Sequence, residues 1–319
     1  MLIRLASNLF WLGRYLERTE NMARLVLVAN AMTLTPEYRE VVAGPWLDAL
    51  AITGSLGEFA EVHALGADDA AAWLIVDRTH LGSIGSCLRS ARDNARTARH
   101  LLTDEYWEAI NGAWLEAQTL GADSLAERGA EDLCAWAIAR CQQVHGASDD
   151  LLRDSVPRLI DLGRAVERGD HLARLLAVFV RGEMATAVEV PDAGSAPHRR
   201  WESLLASAGL LETYRRAHTA AINPRKALHL ILAHPGSPRA LDSNIREIPV
   251  DLAAVLGQVP TNVRHTVDGL LAHLGEEPVD ALTEGVLPSY LTQLGVLTDA
   301  CGAAVSAALE PTFSGTASA

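Results

Sequence analysis

Apolar residues recur along most of the chain at spacings of three and four positions, which is the period of an amphipathic α-helix. Alternation of apolar and polar positions between hairpin turns, the pattern of half-buried strands, does not occur in the sequence. Ser155, with Pro157 in the first turn, marks the start of one long helix. The pattern therefore predicts an all-α helical bundle. The predicted helices cover residues 5–29, 84–102, 105–119, 131–143, 157–181, 201–217, 224–233, 248–256, 261–274 and 287–308.

One helical segment is repeated. Residues 12–28 read LGRYLERTENMARLVLV and residues 162–178 read LGRAVERGDHLARLLAV, with nine of the seventeen positions identical. Two weaker echoes follow in the same order in both halves. They match Trp46, Leu50, Gly54, Leu56 and Phe59 with Trp201, Leu205, Gly209, Leu211 and Tyr214, and Ile84, Ser86, Leu88 and Arg89 with Leu241, Ser243, Ile245 and Arg246. The last echo has a competing register that aligns His80 with His234, and chance similarity between helices of like composition is its alternative explanation.

The repeat predicts the domain organisation. We expect two pseudo-symmetric halves, residues 1–150 and 155–310, that pack together as one domain. The residues after Pro311 are rich in Gly, Ser, Thr and Ala, so we expect residues 311–319 to form a disordered tail.

The repeated helix carries two distinct faces when residues are placed about 100° apart. One face is an ordinary apolar stripe, and the opposite face carries charged groups that are kept in both copies and are bracketed by apolar residues. A solvent-exposed face is free to change between copies, so we expect this charged face to lie at an interface or in a cleft. It comprises Arg14, Glu17, Arg18, Asn21 and Arg24 in the first copy and Arg164, Glu167, Arg168, His171 and Arg174 in the second.

Two interpretations of this charged face remain open. Buried Arg and Glu side chains are costly unless they are paired, so the face is either a structural ionic network that joins the halves or a site for an acidic ligand or a partner's carboxylate. Each face is net positive, and Glu20 and Asp170 at its margin are candidates for part of the missing negative charge. Glu17 and Glu167 are also weak candidates for a catalytic acid or base.

A second basic stripe follows in the first half. Arginines at spacings of three and four share one helical face, which predicts either a solvated surface or an anion-binding cleft formed with the first helix. The second half keeps one of them, because we expect Pro249 to break the equivalent run. The stripe comprises Arg89, Arg92, Arg96 and Arg99, and the retained arginine is Arg246.

Composition excludes several classes of protein. The formal net charge of −13 argues against nucleic-acid binding. No apolar run reaches the roughly 18 residues of a membrane-spanning helix. The four cysteines are scattered, which favours reduced thiols in the cytoplasm. No phosphate-binding loop or H-E-x-x-H motif is present, and the arginines beside Glu17 and Glu167 would repel a cation, so we expect no metal ligands.

The motif L-G-R-x-x-E-R-x-x-x-x-A-R-L, present in both copies, and the opening MLIRLASNLFWLGRYLER resemble the bacterial alpha-E family. The segment SCLRSARDNAR at residues 86–96, Tyr214-Arg215-Arg216 and Pro224-Arg225 extend the similarity. The chain departs from that family's L-D-P-x-x-P segments at residues 77–79 and 234–238. The first of these segments keeps an aspartate, Asp77, and the second has none, so no role of that aspartate carries over to the second half.

This resemblance implies an all-helical protein that works beside atypical ATP-grasp ligases and transglutaminase-like proteins in amide or peptide ligation or modification. The chain would then be a partner or substrate-binding protein, with ATP and magnesium on the ligase and no cofactor of its own. The alternative is a stand-alone enzyme that acts on an amide or carboxylate through Glu17 and Glu167 beside anion-binding arginines. The sequence leaves open which holds, and whether the chain forms a homo-oligomer.

Overall fold

A computed structural model describes residues 3–35, 43–64, 66–180, 191–218, 221–276 and 286–310. Within these ranges the chain is helical and contains no strand, so the predicted all-α class is confirmed. The predicted tail at 311–319 lies outside the described residues.

Fourteen α-helices follow one another in the described ranges, with short 3₁₀ turns at Arg99–Leu101 and Ser148–Asp150. The α-helices are α1 Ile3–Thr33, α2 Ala43–Ile52, α3 Leu56–Val62, α4 Ala67–Ile75, α5 Ile84–Thr97, α6 Asp104–Ala117, α7 Ala122–Ala147, α8 Ser155–Phe179, α9 Ala196–Ser207, α10 Leu211–Ala217, α11 Pro224–Leu232, α12 Leu241–Leu256, α13 Thr261–Glu276 and α14 Leu287–Leu309.

The two long helices α1 and α8 form the centre of the bundle. Helices α2, α5 and α7 pack on α1, and helices α12 and α14 pack on α8. Contacting residues of α1 and α8 keep a nearly constant separation in sequence, as in Gly13 with Ile160 and Arg18 with Glu167, so the two helices run in the same direction. Because both are covered on several sides, polar residues at their contact, such as Glu17 and Glu167, are buried.

Glycine allows α1 and α8 to cross at very short distance. A β-carbon on Gly13 would lie 2.0 Å from the carbonyl oxygen of Ile160, and one on Gly163 would lie 2.0 Å from the carbonyl oxygen of Phe10. Any larger residue at either position would therefore force the two backbones apart. This close approach brings the side chains one turn later within reach of the opposite helix.

Several of the predicted helices have wrong boundaries. The predicted helix 201–217 is interrupted, because the chain adopts a positive φ of 70° at Gly209 between α9 and α10. Helix α12 begins at Leu241 rather than at residue 248 and continues through Pro249, so the expectation that Pro249 breaks this helix is wrong. A proline inside a helix removes one backbone donor, and buried Ile248 and Leu252 on either side keep α12 packed in the core.

Other helical segments were not predicted from the hydrophobic periodicity. Helices α2, α3 and α4 were not predicted, because each is short and the intervening turns contain glycine. Helix α7 begins at Ala122, nine residues before the predicted range 131–143, and bends at Gly129, where φ is 80°. None of the described helices is both long enough and apolar enough to cross a membrane.

Candidate functional site

The two E-R pairs face each other where α1 and α8 cross. Nε and Nη2 of Arg168 donate to the two carboxylate oxygens of Glu17, both at 2.8 Å. Nε and Nη2 of Arg18 donate to the two carboxylate oxygens of Glu167, at 2.5 and 2.8 Å. Each glutamate thus forms a bidentate salt bridge with an arginine of the other helix, the strongest form of an Arg–carboxylate pair. We call this contact the E-R crossing; its residues are Arg14, Glu17, Arg18, Arg164, Glu167 and Arg168.

The remaining two arginines make the crossing asymmetric. Arg14 donates to Glu167 at 2.8 Å and, through Nη2, to Asp170 at 2.7 Å. The residue 150 positions later, Arg164, lies 3.5 Å from Glu17 and donates instead to Asp161 at 3.1 Å. Arginines of α1 therefore pair with both Glu167 and Asp170 of α8, whereas on α1 the arginines of α8 pair closely with Glu17 alone.

Burial and arginine together fix the charge of the two glutamates. Glu17 is completely buried, which raises its pKa, but Arg168, Arg239 and Arg164 lower that pKa by more, to well below the usual range. Burial also raises the pKa of Glu167, and Arg18 with Arg14 again lowers it overall. Both carboxylates are therefore ionised and fully engaged near neutral pH, which suits a structural ion pair and not a proton-transfer group.

A third arginine reaches the acidic side of α1 from the loop before α12. Nη2 of Arg239 donates to Glu20 at 2.9 Å, and its Nη1 lies 3.8 Å from Glu17. Arg24 donates to the same oxygen of Glu20 at 2.6 Å. Gly209 leaves room for both side chains, since a β-carbon there would lie 3.3 Å from each of them. We call this filled space the Arg239 pocket.

The same region contains a group of potential metal ligands. One ligand atom from each of Glu17, Glu20 and His145 lies within 4.8 Å of the others. The carboxylates already accept hydrogen bonds from guanidinium groups, and burial lowers the pKa of His145 to about 4. The two carboxylates of this group are therefore already paired with arginine cations.

On the other side of the crossing lies a small polar cavity of about 140 Å³. It is bounded by α1, the turn after α2, the loop between α4 and α5, and α8. We call it the His80 cavity; its walls are Arg18, Asn21, Met22, Ile52, Thr53, His80, Gly82, Glu167, Asp170, His171 and Arg174.

Several polar atoms of the cavity walls have no hydrogen-bond partner within the described ranges. They include Nδ2 of Asn21, Oδ1 of Asp170 and Nε2 of His171. Burial raises the pKa of Asp170 to about 6 despite the nearby Arg14, whereas burial lowers the pKa of His171 to about 4. Because unsatisfied buried groups are costly, this wall has unused capacity to bind a polar ligand.

The loop that carries His80 is held by its own hydrogen bonds. Oδ1 of Asp77 accepts from the backbone and hydroxyl of Thr79, and Ser83 donates its hydroxyl to the backbone oxygen of Asp77. The ring of His80 stacks on Trp73 with centroids 4.6 Å apart. A β-carbon on Gly82 would lie 2.8 Å from Nε2 of His80, so glycine leaves space for this ring beside the cavity.

The basic stripe of α5 does not join the E-R crossing. Arg92 and Arg99 lie over the ring of Trp107 on α6, and Arg96 is 3.7 Å from Asp93. Arg89 lines a separate groove of about 250 Å³ that also contains Trp114 and Trp136. Arg246 pairs with Asp242 at 2.9 Å on the exposed side of α12. Among the described residues, these arginines therefore contact α6, Asp93, Asp242 and a separate groove, and none of them pairs with the E-R crossing.

Sequence reasoning did not identify Arg239, His80 or His145 as members of the site. Arg239 lies in the loop before α12, so its contact with α1 depends on tertiary packing. The role of His145 likewise depends on how α7 packs on α1.

Comparison with known proteins identifies relatives of the chain. Proteins of Mycobacterium bovis and of two strains of Mycobacterium tuberculosis, all described as uncharacterized, are each 26% identical to it over 272 residues. The match covers 80% of this chain and 30% of each relative, so the chain spans less than a third of the length of these curated relatives. No solved structure matches at a significant level.

A family model gives a match along nearly the entire chain. Residues 1–308 match Alpha-E, described as a predicted alpha-helical domain with a conserved ER motif. Both E-R pairs of this chain, Glu17-Arg18 and Glu167-Arg168, lie at the crossing of α1 and α8. The protein belongs to the Alpha-E family.

Proposed function

We propose that this protein is a helical partner and substrate-binding protein that acts with an ATP-grasp-type ligase or a transglutaminase-like protein in amide or peptide ligation or modification. The observation that carries the proposal is the pairing of Glu17 and Glu167 with arginines of the opposite helix. These carboxylates are the weak acid or base candidates that the sequence offered, and both are already paired with arginine. The chemistry would then belong to the partner, which would also bring ATP and magnesium.

The size of the relatives supports a role beside other domains. The matched region is 30% of each mycobacterial relative, so most of each relative lies outside the part that resembles this chain. A domain joined to larger neighbours in one protein commonly acts beside separate partners in another.

We also propose that the two halves, residues 1–150 and 155–310, arose by internal duplication. The reciprocal pairs Glu17–Arg168 and Glu167–Arg18 support the proposal, as do the reciprocal close approaches of Gly13 and Gly163.

A cytoplasmic location is proposed on a separate ground. All four cysteines are buried free thiols, which a reducing compartment maintains.

The partner role can be tested by reconstitution. The chain would be purified alone and together with the ATP-grasp-type ligase and the transglutaminase-like protein of the source organism, and ATP-dependent amide formation would be followed. We expect no turnover by the chain alone, a stable complex with one of the two proteins, and a higher rate of amide formation when the chain is added. Exposed Arg246→Gln is the control variant and should leave both the complex and the rate unchanged.

A different result would overturn the partner role. If neither protein binds the chain and its addition leaves the rate of the ligase unchanged, the proposal is wrong. If the purified chain alone converts an amide or carboxylate substrate, the protein is an enzyme.

A stand-alone enzyme is the second candidate, and Asp170 is the observation that favours it. Unlike Glu17 and Glu167, Asp170 lines a cavity, has one free carboxylate oxygen and has a pKa raised to about 6 by burial. A carboxyl group with a pKa near neutrality is suited to general acid or base catalysis. Loss of turnover in Asp170→Asn, with the fold intact, would support this candidate.

A further inference from the structure

The E-R crossing is flanked by two spaces that occupy equivalent positions but are filled differently. On one side the guanidinium of Arg239 lies against Glu20 and Glu17 in the Arg239 pocket. On the other side the His80 cavity is open beside Glu167 and Asp170. The chain thus supplies its own occupant on one side only.

The charges around the open space differ from those around the filled one. Arg24 is paired with Glu20 at 2.6 Å. Its counterpart 150 residues later, Arg174, makes no ion pair among the described residues. Oδ2 of Asp170, the counterpart of Glu20, accepts from Arg14 at 2.7 Å, and Arg174 acts on Asp170 only at longer range. The group left without a direct ion pair at the cavity is therefore a guanidinium.

Further donors point the same way. Nδ2 of Asn21 lies in the cavity wall without a partner although its residue is 97% buried, its exposed fraction being 3%. Arg18 uses Nε and Nη2 for Glu167, and its side chain is 32% exposed at the cavity. The charged groups of the cavity wall are Arg18, Arg174, Glu167 and Asp170, and both carboxylates also pair with Arg14 next to the wall. Burial keeps both His80 and His171 largely neutral near pH 7 by lowering their pKa.

We infer that the His80 cavity binds a small carboxylate, which pairs with Arg174 and Arg18 at the entrance and accepts a hydrogen bond from Nδ2 of Asn21 inside. A planar carboxylate matches the fork of an arginine, and it would give Arg174 the ion pair that this side chain lacks among the described residues. A cation would meet only Glu167 and Asp170 as counter-charges, and each of these carboxylates is already paired with an arginine. The same two carboxylates would repel a doubly charged phosphate more strongly than a singly charged carboxylate.

The cavity volume limits the size of the ligand. A cavity of about 140 Å³ holds several water molecules, so a carboxylate with a short side chain fits and a long chain does not. This inference deepens the proposed substrate-binding role and rests on it, since carboxylates are the substrates of amide ligation. Binding by the purified chain can be measured without a partner, so the two proposals can fail separately.

The test is calorimetric titration of the purified chain with propionate, using propanamide as a neutral probe of the same shape, and with L-alanine, guanidinium and inorganic phosphate. We expect propionate and L-alanine to bind, and propanamide to bind at least about tenfold more weakly, since a charge-assisted contact typically contributes more than a neutral one. Guanidinium and phosphate should bind more weakly than propionate.

Variants of the cavity locate the binding. Arg174→Gln should weaken propionate binding about tenfold without loss of fold, because Arg174 is exposed and unpaired in the described part of the chain. Asn21→Leu removes a buried donor that has no partner and should weaken binding while the protein stays folded. Arg246→Gln, a remote exposed arginine, is the matched control and should bind as the wild type does.

The inference is overturned if propionate binds no better than propanamide, if phosphate or guanidinium binds more tightly, or if Arg174→Gln and Asn21→Leu both retain wild-type affinity. Loss of partner-stimulated ligation with normal propionate binding would instead overturn the proposed function and leave the cavity assignment standing.

Discussion

Gly13 lies against the backbone of Ile160 so closely that a β-carbon on the glycine would be 2.0 Å from the carbonyl oxygen. The contact cannot relax by moving a flexible side chain, because both partners are backbone. The distance between α1 and α8, and with it the reach of every arginine in the E-R crossing, therefore depends on glycine at this position.

Gly13→Ala should destabilise the protein by roughly 3 kcal/mol, at the upper end of the usual cost of overpacking. The measurement is the free energy of unfolding in urea. Gly112→Ala is the matched control, because a β-carbon on Gly112 inside α6 meets nothing within 4 Å. That control should gain about 0.5–1 kcal/mol, since alanine favours a helix over glycine. Equal stability of the two variants would show that the helices do not cross this closely.

Asp170 should make a contribution to stability that decreases as the pH rises. Burial raises its pKa from the ordinary 3.8 to about 6, so between these values the folded state binds a proton that the unfolded state has lost. The stabilising effect is complete below about pH 4 and is lost as the pH passes about 6. The size implied by a shift of this order is about 2–3 kcal/mol.

The measurement is the unfolding free energy of the wild type relative to Asp170→Asn at pH 4 and pH 7. The wild type should lose about 2–3 kcal/mol relative to the variant between these two values. Glu17 and Glu167 have a lowered pKa, so their contribution to stability changes with pH in the opposite sense. Both proteins contain them, so this contribution cancels when the two unfolding free energies are subtracted. A difference that is constant with pH would contradict the raised pKa.

Removal of divalent metal should leave the fold unchanged. Glu17 and Glu20, which with His145 offer the one group of potential metal ligands in the described ranges, accept hydrogen bonds from Arg168, Arg239 and Arg24. Thermal unfolding before and after dialysis against EDTA should give the same Tm. A lower Tm after dialysis, together with a metal ion detected by mass spectrometry of the untreated protein, would contradict this assignment.

The fold class and the two central helices could be predicted from the sequence. Hydrophobic periodicity over long segments predicted the all-α fold, and the repeated motif singled out the residues that meet where α1 and α8 cross. The short helices α2 to α4 escaped, because fewer than three helical turns give too little periodicity. The interruption at Gly209 escaped because apolar residues keep their spacing on both sides of the turn.

The candidate site was predictable only where the chain repeats itself. Arg14, Glu17 and Arg18 have counterparts in the second copy, whereas Arg239 comes from an irregular loop whose position depends on tertiary packing. Asp170 was visible as a marginal acid of the repeated helix, but its unpaired oxygen depends on which way Arg14 turns. Rotamer choices of this kind have no signature in a single sequence.

The most direct test of the E-R carboxylates as structural ions is a double-mutant cycle between Glu17 and Arg168. We would measure unfolding free energies of Glu17→Gln, Arg168→Gln and the double variant, with the half-buried Asp242 and its exposed partner Arg246 as the control cycle. We predict a loss of about 3–5 kcal/mol in Glu17→Gln and a coupling energy of about 2 kcal/mol or more, against about 0.5 kcal/mol or less in the control. A coupling energy near zero, with Glu17→Gln as stable as the wild type, would contradict the assignment of these glutamates to the ionic network.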